Sequence, residues 1–218
     1  MPRVVTIDGP AGAGKSTVAR RLASDLGWRF LDTGAMYRAV TLAALRSGVD
    51  LTCDGALGEL TDRLEVSLLP GQVLLDQEDV TTAIRTAQVT EASRFVADSP
   101  AVRRRLIQWQ RDFALEADTV TEGRDQGTIV FPDAFCKFFL VADPEVRARR
   151  RLADLLSRGQ PATFEVVLED QHRRDARDAA RAIAPMKPAA DAVLIDTTGM
   201  TVDEVVEQLA GRIKASVE

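Results

Sequence analysis

The sequence predicts an α/β fold built on a five-stranded parallel sheet, and three observations lead there. Short, near-continuous apolar runs recur at residues 4–8, 29–31, 119–121, 136–141 and 192–195, as expected of strands buried on both faces. Longer segments with helical apolar spacing separate them; Val18, Leu22 and Leu26 share one helical face after the first run. The first run also leads directly into Gly9-Pro10-Ala11-Gly12-Ala13-Gly14-Lys15-Ser16, the complete G-x-x-x-x-G-K-S pattern of a phosphate-binding loop, or P-loop.

That loop sets the chemistry of the first strand-to-helix turn. Its glycines let successive backbone N–H groups converge on an anion, and the following helix adds its positive end. Lys15 then meets the β- and γ-phosphates of a nucleoside triphosphate, and the Ser16 hydroxyl reaches Mg2+. Gly9 to Thr17 form the candidate donor site, with Ser16 the candidate metal ligand.

Composition bounds what else the chain can be. With 218 residues and 45% hydrophobic content, it can bury a substantial core as one domain with insertions. Thirty-three acidic residues against 28 basic ones leave a net charge of -5, which is no broad nucleic-acid footprint. Two cysteines, Cys53 and Cys136, lack metal-ligand spacing and read as small buried side chains; the single His172 excludes histidine-rich metal centres. No signal-peptide pattern and no long apolar run stands out, so a soluble cytoplasmic protein with no membrane partner is expected; the charge balance points away from nucleic acid, and with no decisive oligomer interface in the sequence a monomer is the default expectation.

The second strand ends in Asp32-Thr33-Gly34-Ala35-Met36-Tyr37-Arg38. Thr33 is placed to cap the next helix, whereas Asp32 and Arg38 call for polar work. Residues 64–79, LEVSLLPGQVLLDQED, then break the αβ rhythm with two strand-like runs around Pro70-Gly71, a hairpin signal. Helical patterns follow over residues 84–96 and 102–113, separated by Pro100. Residues 60–98 or so read as a small inserted lobe.

The third strand runs into Glu122-Gly123-Arg124-Asp125 at the edge of the sheet where functional loops gather. Arg124 can grip a phosphate bidentately and Asp125 can accept from an amino group. After the fourth strand, an arginine-rich helix over residues 145–159 carries Arg147, Arg149, Arg150, Arg151 and Arg158. A polar link leads to a second charged helix, residues 165–183, and this pair reads as a hinged lid spanning about 147–172. Arg147 and Arg151 share a face with Arg150 beside it, so closure could bring cations to a triphosphate, although a solvated charged helix fits the same spacing. Arg174, Asp178 and Arg181 fall at i, i+4 and i+7 on one helical face, equally suited to surface pairing and to a phosphate-and-ribose site. Pro185 and Pro188 then interrupt helix formation before the last strand.

Taken together, the blocks TIDGPAGAGKST, LDTGAMYR, EDVTTAIRT, EGRDQGTIVFPDA, RDARDAARAIAP and KPAADAVLIDTT resemble the bacterial cytidylate kinases, over residues 4–213. The resemblance implies transfer of the γ-phosphoryl group of ATP to CMP or dCMP, with Mg2+. It implies that Arg38, Arg124 and Arg181 hold the acceptor phosphate, Arg174 and Asp178 its ribose side, and that Thr33 lies close to the nucleoside. Arg103 and Asp125 would read cytosine, Asp125 taking the amino group and Arg103 the ring acceptors. Arg85 would face the acceptor from the inserted lobe, and Arg150 and Arg151 would come from the lid toward the transferring phosphate, acting catalytically with Lys15.

Two positions depart from the family pattern: Arg94 stands where a base-contacting serine is usual, and Gln126 where an apolar residue is usual. The neighbouring Ser93 is rotated from position 94 by about 100 degrees around the helix. The rival functions are a kinase for UMP or AMP, and a GTP-hydrolysing switch. The switch would need a guanine-reading N-K-x-D run, which the chain lacks.

Overall fold

The structure is a computed structural model that describes residues 2–157, 159–181 and 183–216. It divides into two compact units, Met1–Phe30 with Ala117–Glu218, and Leu31–Glu116.

In the first unit, β1 (Val4–Asp8) turns through the P-loop into α1 (Lys15–Leu26) and β2 starts at Arg29 (Arg29–Asp32). β2 carries the chain into the second unit, where α2 (Thr33–Arg46) and α3 (Asp54–Arg63) lead to β3 (Val66–Leu69), β4 (Gln72–Leu75) and β5 (Glu78–Asp79). A 3-10 turn, Ala83–Arg85, precedes α4 (Ala87–Asp98) and α5 (Pro100–Leu115). The chain returns through β6 (Thr119–Glu122), a short wide helical turn Gln126–Val130, β7 (Cys136–Val141), α6 (Pro144–Ser157), α7 (Phe164–Ala180), β8 (Val193–Asp196) and α8 (Val202–Ala215).

The five predicted strands form one sheet in the order β2-β6-β1-β7-β8. β1 pairs in parallel with β6 and with β7, and β7 with β8, so the central β1 presents the P-loop at its carboxyl end. Apolar side chains on one face of this sheet form a core: Val5, Ile7, Phe138 and Leu140 pack with Val18 and Leu22 of α1 and with Leu209 of α8. Each such side chain contributes roughly 1.5–3 kcal/mol by leaving water. α8 begins at a capping box, with Thr201 bonding the Glu204 backbone and the Glu204 carboxylate returning to Thr201.

The second unit has its own core, in which Ala35, Ala39 and Leu42 of α2 meet Val73, Leu75, Val80, Ile84 and Val89. The predicted hairpin is present as β3 and β4, but a third strand, β5, extends it antiparallel. The turn into β5 uses Asp76 and Gln77, both at positive φ (49° and 68°), a conformation that carries no glycine signature here.

Several local expectations are corrected. The helix expected from residue 84 begins at Ala87, because Ala83–Arg85 form a separate turn and the Thr86 hydroxyl caps α4 by accepting from Val89 N. The helix expected through residue 183 ends at Ala180, leaving Arg181 in extended backbone just beyond it. Cys136 is buried as expected, whereas Cys53 is exposed, because it occupies the turn that opens α3. Arg158 lies outside the described residues.

Candidate functional site

The P-loop is held open by close backbone packing. Gly9 has φ 138°, and a Cβ there would stand 2.1 Å from the Leu140 carbonyl oxygen in β7, so no other residue fits. Gly12, at φ 79°, packs against α6, where a Cβ would meet Arg147 at 3.0 Å. Beyond the loop, α1 has no side-chain cap and no acidic residue in its first turn. Its leading N–H groups and dipole are therefore left to an anion.

Lys15 is buried and donates from Nζ to the Pro10 carbonyl at 2.8 Å. Burial, and then the nearby Arg124, push its ammonium down to about 7; Arg174 acts the same way, while Glu122 and Asp8 oppose them. Asp8 is buried too, and desolvation raises its carboxyl to about 6 although it accepts from the backbone N–H groups of Gln126 and Gly127 at 2.9 and 2.8 Å. These bonds anchor the turn after β6 to the end of β1. The side chain of Gln126, buried here, accepts from the Thr121 hydroxyl at 2.9 Å, which accounts for a polar residue at this position.

Ser16 Oγ donates to Glu122 Oε1 at 2.9 Å, which brings a hydroxyl and a carboxylate together beside the phosphate loop. Among the described residues no cluster of three or more His, Cys, Asp or Glu side chains could hold a metal ion by itself. Two hard oxygen donors beside a phosphate cradle suit Mg2+, which keeps several waters and takes ligands from phosphates. The sequence marks Ser16 as a candidate metal ligand and does not so mark Glu122, the carboxylate that accepts its hydroxyl. The only signal was its position at the carboxyl end of β6.

Asp178 of α7 is buried and gathers arginines. Its carboxylate lies 3.3 Å from Arg124 Nε, 2.9 Å from Arg181 Nη2 and 4.0 Å from Arg174 Nε. These contacts fix guanidinium groups whose other edges can serve a phosphate. Arg181 reaches Asp178 from beyond the helix end, so the expected i, i+7 relation gives way to a cap-like approach. Asp125 is buried at the start of the turn after β6.

Within the second unit, Asp32 plays a similar part. It caps α2 by accepting from Ala35 N at 2.8 Å, taking the capping role that the sequence offers to Thr33. Its carboxylate also lies 3.6 Å from Arg38 and 3.9 Å from Arg85. Arg103 is buried and donates to the Tyr37 hydroxyl at 3.3 Å; Thr33 is also buried. Arg94 lies over the ring of Phe95, 4.6 Å from its centroid, and Ser93 donates to the Thr90 carbonyl.

The arginines of α6 separate into different roles. Arg147 is buried and bonded to the Ala142 and Ala11 carbonyls and to Asp175, which corrects the expectation that it faces a triphosphate on lid closure. Arg150 donates to the hydroxyl and carbonyl of Thr197, after β8. Arg151 is partly exposed and paired with Asp154 at 2.9 Å.

The family model for cytidylate kinase matches residues 5–215. The chain belongs to the cytidylate kinase family. A cytidylate kinase of Rhodopirellula baltica is 46% identical over 99% of this chain and 94% of its own length, and one of Desulforamulus reducens is 50% identical over 95% of each. The reaction is therefore transfer of the γ-phosphoryl group of ATP to CMP or dCMP, yielding ADP and CDP or dCDP. An uncharacterized protein from Eubacterium ventriosum, 13% identical, shares the fold with a TM-score of 0.56 across 97% of this chain and 98% of its own. Among the described residues, no helix of the kinase is long and apolar enough to cross a membrane.

The kinase should take up protons when it binds ATP. Burial and the nearby Arg124 hold the Lys15 ammonium down to about 7, and phosphates bound on the P-loop would favour it. ATP affinity should fall as pH rises through about 7 and above. Calorimetry at pH 8 in buffers of differing ionisation heat should show net uptake; net release contradicts this assignment.

Proposed function

We propose that the P-loop residues Gly9 to Thr17, with Lys15, hold the phosphates of ATP, and that Ser16 and Glu122 would hold Mg2+. The uncapped start of α1 and the Ser16–Glu122 contact support this reading. When bound, Mg2+ offsets charge on the donor phosphates and aids their alignment. Arg124 and Arg181 serve the acceptor phosphate, as does Arg38, with Arg85 beside it on Asp32. Arg174 and Asp178 serve the ribose, and Thr33 lies near the nucleoside.

An acceptor phosphate oxygen attacks the γ-phosphorus in line; the new P–O bond forms as the bond to the bridging β,γ-oxygen breaks, and ADP leaves. A monophosphate with its second pKa near 6 is largely dianionic at neutral pH, so the protein supplies neither nucleophile nor strong base. Alignment and charge stabilisation carry the rate. Lys15, Arg150 and Arg151 stabilise the transferring phosphoryl group. Arg151 has the easier release, because its present partner is a partly exposed carboxylate three residues away.

Asp125 takes the cytosine amino group and Arg103 the ring acceptors, with Tyr37 orienting Arg103. The observation that supports this base assignment is that both charged side chains are buried, Arg103 on the Tyr37 hydroxyl and Asp125 at the turn after β6. Asp125→Asn should raise the KM for CMP by about tenfold and narrow the CMP-over-UMP preference, since a hydrogen bond to a charged group contributes roughly 1.5–3 kcal/mol. Initial rates with each acceptor measure this, and an unchanged ratio removes Asp125 from base selection.

A further inference from the structure

We infer that Arg147 and Asp175 are positioning residues that couple the donor loop to the helix serving the acceptor. This rests on the proposed roles of the P-loop and of Arg174 and Asp178. Arg147 Nη1 donates to the carbonyl of Ala11, in the middle of the P-loop, at 3.0 Å and to Asp175 Oδ2 at 2.6 Å. Its Nε donates to the Ala142 carbonyl at 3.0 Å, at the end of β7, which fixes the guanidinium from a third side. Gly12 packs against the Arg147 backbone so closely that a Cβ would stand 3.0 Å away, so loop and helix cannot shift independently by much.

The other end of this link is α7. Asp175 directly follows Arg174 and lies one turn below Asp178, the carboxylate that gathers Arg124, Arg174 and Arg181. One turn earlier, Gln171 donates to the Pro144 carbonyl at 2.9 Å, so α7 is tied to the start of α6 at two successive turns. Only one oxygen of Asp175 is used: Oδ1 is buried and has no hydrogen-bond partner among the described residues. Leaving one occluded oxygen of this partly buried carboxylate without a partner is unfavourable for stability alone, which points to a role in transmitting position.

The consequence is reciprocal binding. A nucleotide that orders the P-loop also orders Ala11, and through Arg147 and Asp175 it favours the placement of α7 in which Arg174 and Asp178 are ready for the acceptor. Each nucleotide must then tighten the other by the same factor.

The test measures CMP affinity with and without a non-hydrolysable ATP analogue and Mg2+, for the wild type, Asp175→Ala and Asp175→Asn, with thermal melts to establish that each is folded. The wild type should show mutual tightening of roughly 5- to 150-fold, the usual range for such coupling. Asp175→Ala should bring the factor close to one while each nucleotide alone binds within about twofold of wild type. Asp175→Asn, which retains an acceptor oxygen for Arg147, should fall between them. Absence of coupling in the wild type, full coupling in Asp175→Ala, or equal loss of CMP affinity with and without the analogue overturns the inference. Wild-type turnover of CMP with ATP, measured alongside, reports separately on the proposed function.

Discussion

Lys15→Met is expected to lower turnover by about 10²–10³-fold, the usual effect of removing one preorganised charge donor from a developing oxyanion. Thermal stability should be unchanged or higher, because the lysine is buried and its ammonium is disfavoured by desolvation and by Arg124. A methionine fills nearly the same volume without a charge to bury. Steady-state kinetics with saturating CMP and ATP, together with a thermal melt, give both quantities. Near-normal turnover would contradict the placement of the donor phosphates on the P-loop.

Arg181→Ala should weaken CMP binding by roughly 10- to 100-fold and leave ATP affinity within about twofold, because on the proposed assignment the lost guanidinium, besides its pairing with Asp178, serves the acceptor phosphate and not ATP. Asp178 retains Arg124 at 3.3 Å and Arg174 at 4.0 Å, so its buried carboxylate is not stranded. Arg181→Lys should recover part of the loss, since it keeps the charge but not the planar fork. Direct titration of each nucleotide checks this; an unchanged CMP affinity removes Arg181 from the acceptor site.

The sheet and donor loop are legible in sequence because their signals are local. Five apolar runs mark the five strands, and G-x-x-x-x-G-K-S fixes Gly9, which must approach Leu140. The rest depends on tertiary contact. Helical spacing puts Arg147 and Arg151 on one face, but it cannot show that this face meets the P-loop carbonyl at Ala11 while Arg151 remains partly exposed. Spacing likewise suggested one helix carrying Arg174, Asp178 and Arg181, whereas the helix ends at Ala180 and Arg181 reaches back to the carboxylate.

The β4–β5 turn was hidden because Asp76 and Gln77 adopt positive φ without glycine. The organising roles of Asp32 and Asp178 emerge only when the cations around them are seen. Each holds arginines in place, which on the proposed assignment reduces the ordering cost of binding a phosphate. Gln126 also becomes intelligible, as a buried acceptor for Thr121 in the turn that Asp8 anchors.

The most direct measurement is the initial rate of nucleoside diphosphate formation with Mg2+ and ATP and, in separate reactions, CMP, dCMP, UMP and AMP as acceptor. The account predicts multiple turnovers with CMP or dCMP at a kcat/KM well above that for UMP and AMP. Preferential use of UMP or AMP, or no turnover of CMP, would contradict it.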